Sequence, residues 1–170
     1  MDAPWLRVSP AIRQFVLGEV ERQYHPIGTF EYRERVEWMT DAWTWAQKAA
    51  DDRRPTVEDV LFLAARIEPV LNLRGFRTAD VWIGGHAGAD PRDVPARVER
   101  LWSFVDQVLP EQGRAPSDEE MTADDFYLEF EDIHPFADGN GRVGKVLHNW
   151  LLGTLDNPVL VYDYFGGGNP

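Results

Sequence analysis

Within the nine residues His134-Pro135-Phe136-Ala137-Asp138-Gly139-Asn140-Gly141-Arg142 stand an imidazole, a carboxylate, an amide between two glycines and a guanidinium. His134 has a side chain whose unperturbed pKa lies near neutrality, so it can take a proton from a hydroxyl and later release it. Asp138 is a hard oxygen donor of the kind that holds Mg²⁺ together with waters and phosphate oxygens. Gly139 and Gly141 let the backbone approach an anion closely, and Asn140 between them can donate an amide N–H to a phosphate oxygen. Arg142 offers a fork for phosphate, and Lys145, one turn on, can add a second cation. Singly, each of these residues is ordinary: an Asp-Gly-Asn-Gly run usually marks a turn, and Arg with Lys at i,i+3 usually marks a solvated face. Together, in this order, they describe a nucleotide-phosphate site with a general base beside it.

The elements around the motif fit that reading. Val143, Val146, Leu147, Trp150 and Leu151 follow at helical spacing, which predicts a helix from about Asn140 to Leu155. The motif thus feeds a helix N-terminus, where backbone N–H groups and the helix dipole favour a phosphate. Upstream, a helix is expected from about Thr122, with Phe126, Phe130 and Ile133 on its buried face. Ser9-Pro10 opens another, with Ile12, Phe15, Val16 and Val20 inward. Tyr32, Val36, Met39, Trp43, Ala46 and Ala50 predict a long helix ending near 51–55. Thr56 to Asp59 forms a capping box for a helix with Val60, Leu63, Ala64, Ile67 and Leu71 inward, which Pro69 kinks or shortens. A further helix begins near Val94, its face made of Val94, Val98, Leu101, Trp102 and Val105.

At Phe76–Gly85 the period changes and β-formers collect, so a small β-hairpin is expected at about 76–87. Loops are expected at 86–92 and 111–117. The remaining histidines, His25, His86 and His148, have no supporting cluster and read as surface or packing residues. No zinc-ligand spacing, serine nucleophile elbow or Walker-type phosphate loop occurs.

Composition narrows the classes. The 170 residues suit one domain with a real core, and seven Trp, nine Phe and five Tyr argue against global disorder. Cysteine is absent, which excludes disulfides and Cys-based metal sites. A formal charge of −12 argues against binding nucleic acid through its phosphates. Neither a secretory signal nor a run of about eighteen apolar residues is present, so no membrane association and a cytoplasmic location are expected.

The segment His134 to Arg142 resembles the signature of the Fic family, His-x-Phe-x-(Asp/Glu)-Gly-Asn-(Gly/Lys)-Arg, at all nine positions. Phe130-Glu131-Asp132-Ile133 and Val81-Trp82-Ile83-Gly84 are similar to the flanking segments of Fic domains. The resemblance implies an all-α, mainly helical Fic/Fido fold with a small β-hairpin flap. It would form one domain over 1–170, with its core at about 30–157, the catalytic loop at 134–142 and a flexible tail at about 166–170. It further implies a protein adenylyltransferase moving AMP from ATP to a Ser, Thr or Tyr hydroxyl of a target protein, with release of pyrophosphate.

Carried over, the resemblance makes His134 the base and Asp138 the ligand of Mg²⁺. Gly139, Asn140 and Gly141 become the anion hole, and Arg142 a phosphate contact. The flap residues Thr78, Val81, Trp82 and Ile83 would dock the target by strand addition. Many Fic domains have a second arginine where this chain has Lys145, which keeps the charge without the fork. Many also contain an inhibitory (Ser/Thr)-x-x-x-Glu-(Gly/Asn) helix. No Ser or Thr here has Glu four residues on, so a separate antitoxin-like inhibitor is expected to supply that glutamate, as in a toxin–antitoxin pair. Other nucleotide donors, kinase activity and a non-catalytic binding module are the alternative functions; Gly141 favours nucleotidyl transfer over phosphorylation.

Overall fold

The structure is a computed structural model that describes residues 4–23, 27–51, 53–108 and 121–161. The readings at His25, within 111–117 and in the tail at 166–170 lie outside the described residues. Among these residues six α-helices form: α1 (Pro10–Arg22), α2 (Phe30–Ala49), α3 (Val57–Ile67), α4 (Val94–Trp102), α5 (Ala123–Ile133) and α6 (Asn140–Leu152). One antiparallel hairpin joins them, β1 (Trp82–Ile83) with β2 (His86–Ala87). The fold is mainly helical with a small hairpin.

Local chemistry explains where the helices start. Ser9 accepts from the Ile12 N–H ahead of α1, and Thr29 from the Tyr32 N–H ahead of α2. Reciprocal capping boxes open α3, from Thr56 and Asp59, and α5, from Thr122 and Asp125. α3 stops at Ile67 because Glu68 precedes Pro69 and leaves the helical region, at φ −136 and ψ 79. Leu71 therefore does not extend the apolar stripe; it is 53% exposed. At the other end of the chain α6 closes at Leu152 rather than Leu155, with the Gly153 N–H on the Trp150 carbonyl and the Thr154 N–H on the Asn149 carbonyl. α4 likewise ends before Val105, which stays buried in the short 3₁₀ turn Val105–Gln107.

α6 is the central helix. All its residues from Arg142 to Leu151 are buried, with α2, α3 and α5 packed around it. The indoles that complete this core each find a carbonyl: Trp43 donates to Leu155 (2.9 Å), Trp102 to Pro55 (3.0 Å) and Trp150 to Arg53 (2.9 Å). The hairpin is narrower than the β-rich stretch of sequence. Its strands pair Trp82 with Ala87 and Ile83 with His86 across Gly84-Gly85, whose φ values of 52 and 97 suit a two-residue turn.

Candidate active site

The motif starts where α5 ends. His134 is the C-cap of α5 and adopts the left-handed conformation, φ 49 and ψ 63; no other non-glycine among the described residues has positive φ. Its backbone N–H donates to the Phe130 carbonyl (3.0 Å), and Nδ1 lies 3.1 Å from the Glu131 carbonyl. A carbonyl only accepts, so this contact places the proton on Nδ1 and leaves Nε2 as the basic nitrogen. The ring is 20% exposed. Burial lowers its pKa; Arg77 and His86 add to that effect, while the Glu131 hydrogen bond and the Asp138 charge oppose it. His134 is thus held neutral, as a base must be before it acts.

Phe136 is wholly buried against Phe76 and Phe130, and this anchors the loop. Asp138 is 42% exposed, with Oδ1 accepting the Gly139 N–H at 2.6 Å. Asn72 supports the loop by donating to the Asp138 carbonyl (2.8 Å). Among the described residues no group of three or more His, Cys, Asp or Glu side chains could hold a metal ion. One accessible carboxylate beside an anion site is a donor set that suits Mg²⁺ shared with phosphate oxygens and water.

Gly139 is required where it stands. Its φ is 76, and an added Cβ would lie 3.0 Å from Ile67 Cγ2 and 3.1 Å from Glu68 Cγ. No side chain caps α6, so the first N–H groups of this helix, at Asn140, Gly141 and Arg142, form a ready anion site. Gly141 is its partly exposed member.

Three expected phosphate donors are engaged elsewhere. The Asn140 amide is 1% exposed and locks the loop: Oδ1 accepts from the Phe136 N–H (2.8 Å), and Nδ2 donates to the Phe136 carbonyl (2.9 Å). Its side chain thus clasps the loop. Arg142 is fully buried, donating from Nη2 to Glu68 (2.6 Å) and from Nε to Gln23 (3.0 Å). Glu68 also accepts from Arg35 at 3.1 Å. Lys145 is 2% exposed, with Nζ 2.7 Å from Glu19 of α1. Arg142 and Lys145 share a helix face as expected, but that face points into the protein. His148, read as a surface or packing residue, is buried with Nε2 2.6 Å from Asp124.

Ahead of the hairpin Thr78 is exposed and Val81 partly buried, and on β1 Trp82 is exposed and Ile83 buried. Arg77, Glu68, Glu19, Gln23 and Asn72 complete the surroundings of the motif and lie outside it in sequence. Glu19 had a visible signal, a charge within the apolar stripe of Phe15, Val16 and Val20. Arg77 and Glu68 had none beyond their nearness to Phe76 and Pro69.

A family model described as Fic/DOC family matches residues 55–152. The protein adenylyltransferase Fic of Drosophila grimshawi is 30% identical over 110 residues, covering 62% of this chain and 22% of that protein. The chain thus spans about a fifth of the length of the curated relatives it matches. Among solved structures, Fic-1 from C. elegans aligns with a TM-score of 0.59 at 16% identity, covering 85% of this chain and 44% of that one. A Fic domain-containing signaling protein from Bacteroides thetaiotaomicron gives 0.59 at 16% identity, covering 94% and 73%. These two likenesses concern the fold.

Proposed function

The chain belongs to the Fic/DOC family, and we propose that it is a protein adenylyltransferase. In this reading His134 Nε2 takes the proton of a Ser, Thr or Tyr hydroxyl on a target protein. The freed oxygen attacks the α-phosphorus of ATP, a new P–O bond forms, and the bond to the bridging oxygen of the β-phosphate breaks. Pyrophosphate leaves and AMP stays on the target. The supporting observation is the juxtaposition of a neutral His134, its Nδ1 tied to the Glu131 carbonyl, with the uncapped N-terminus of α6 in the same turn.

The residues divide the work. Backbone N–H groups at the start of α6 orient the phosphates, so Gly139, Asn140 and Gly141 contribute through the main chain. Asp138 would hold Mg²⁺, whose charge offsets that of the phosphates when it is bound. Arg142 and Lys145, paired with Glu68 and Glu19, offer no direct fork, which leaves triphosphate orientation to the backbone. The hairpin registers the target segment. An antitoxin-like inhibitor would act at the exposed side of the motif, because Glu68 and Glu19 of this chain already face Arg142 and Lys145.

The test uses the purified chain with Mg²⁺, a cell lysate and ATP labelled at either the α- or the γ-phosphate. Labelled protein is expected from the α position only. Label arriving from the γ position alone would replace this reading with a kinase.

A further inference from the structure

Arg77 lies outside the motif and far from it in sequence, yet it grips the motif's first residues. Its side chain is 5% exposed. Nε donates to the His134 carbonyl (2.6 Å), Nη2 to those of Ala89 (2.6 Å) and Ile133 (3.2 Å), and Nη1 to that of Ala79 (2.8 Å). The backbone N–H of Arg77 adds the Pro135 carbonyl at 2.9 Å. One residue therefore holds three successive carbonyls where the chain leaves α5, and two more on the arms that lead into and out of the hairpin.

Among the described residues no carboxylate pairs with this guanidinium; Asp80 and Asp90 act on it only through longer-range charge. Its burial is offset instead by charge-assisted bonds to carbonyls. Two of those carbonyls end α5, where a helix leaves its acceptors unmatched and its dipole is negative. The return arm of the hairpin comes close because residue 88 is glycine. A Cβ there would lie 2.9 Å from Val81 Cγ2 and 3.2 Å from Arg77 Nη2.

The grip centres on the one non-glycine residue of positive φ among those described, His134. A left-handed backbone at such a residue is strained and persists only where the surroundings over-determine it. Holding the carbonyls of Ile133, His134 and Pro135 does so.

We propose that Arg77 is a positioning residue that fixes the His134 imidazole relative to the hairpin, so that a target docked on β1 presents its hydroxyl at a set distance from Nε2. This rests on the reading of His134 as the base and the hairpin as the target dock. Arg77 makes no hydrogen bond to Asp138 or to the start of α6, so its loss falls on transfer to the target and spares nucleotide binding.

The experiment uses the whole chain with Arg77→Lys, which keeps the charge but gathers its donors on a single nitrogen. Three readouts are taken: label transfer from α-labelled ATP into lysate protein, MgATP affinity by calorimetry, and the His134 imidazole resonances by NMR. Transfer is expected to fall about 100-fold, with affinity within about twofold and the imidazole resonances displaced. Transfer at the wild-type rate, or an affinity loss equal to the transfer loss, overturns the proposal.

If Arg77→Lys does not fold, Gly88→Ala decides, because it presses the return arm off the guanidinium and leaves α5 untouched. A transfer loss of about 10-fold with unchanged affinity supports the coupling, and wild-type transfer overturns it. A wild-type chain that transfers nothing counts against the adenylyltransferase reading instead. In that case displaced His134 resonances in Gly88→Ala support the coupling, and unmoved ones overturn it.

Discussion

On one side of the motif His134, Asp138 and Gly141 remain partly exposed, while on the other Asn140, Arg142 and Lys145 are buried and engaged with the protein. The two sets interleave within twelve residues of chain, yet they face different surroundings. The exposed set ends α5, whose last carbonyls Arg77 holds, and opens α6, where no side chain caps the first N–H groups. The buried set lies in the first turns of α6, the central helix, where every polar atom must be matched or its burial is costly. Residue type alone does not separate them: an arginine beside a phosphate site and an arginine clamped by Glu68 and Gln23 look the same in sequence.

The largest effect should come from breaking the buried side. Glu68→Ala removes the hydrogen-bonded carboxylate of the Arg142 guanidinium, 0% exposed, and leaves it only Asp138 at 3.9 Å. Loss of one partner of a buried pair is expected to cost about 3–5 kcal/mol in urea unfolding. A mutant of wild-type stability would mean that Arg142 is free to serve the exposed side.

Asn140→Ala comes next. It strands the buried Phe136 N–H and carbonyl that the amide now satisfies, for an expected loss of about 1–3 kcal/mol. Unchanged stability with weakened ATP binding would instead return Asn140's side chain to the phosphate site.

A smaller, graded effect concerns pH. Burial lowers the pKa of His134, against the charges of Asp138 and the hydrogen bond to Glu131, and lowers that of His148 against Asp124. The unfolded chain, with imidazoles near 6.5, then binds more protons than the folded one as pH falls. Stability contributed by these groups is complete above that pH and declines below it. Urea midpoints measured from pH 7.5 to 5.5 should fall, and His148→Gln should flatten the slope; a midpoint that rises on acidification would contradict the neutral assignment.

Trp82→Ala should change least in the fold. Its side chain is 75% exposed, so stability should stay within about 0.5 kcal/mol while transfer to a protein target weakens. A clear drop in melting temperature would show that the hairpin belongs to the buried framework instead.

Much of this molecule is legible in the chain. Apolar spacing and start signals at Ser9, Thr56 and Thr122 locate helices, because those signals are local; the Thr29 cap of α2 emerges only in the structure. Leu71 lies outside the core because the residue before Pro69 leaves the helical region one turn earlier than the apolar stripe suggests. Within the site, His134, Asp138 and the two glycines could be picked out by chemistry. The burial of Arg142 and Lys145 could not, since α6 is enclosed on all sides and periodicity no longer marks an inner face. Arg77 stayed hidden for another reason: its role consists of carbonyls contributed by residues 79, 89, 133 and 134, which no side-chain pattern records.

The most direct measurement compares label transfer from α-labelled ATP by the wild-type chain and by His134→Ala at matched folded concentration. Transfer by the wild type and a loss of about 10³-fold or more in the variant, with its unfolding midpoint unchanged, is the predicted result. Equal labelling by both proteins would contradict the assignment of His134 as the base and, with it, the division of the motif into a reactive and a structural side.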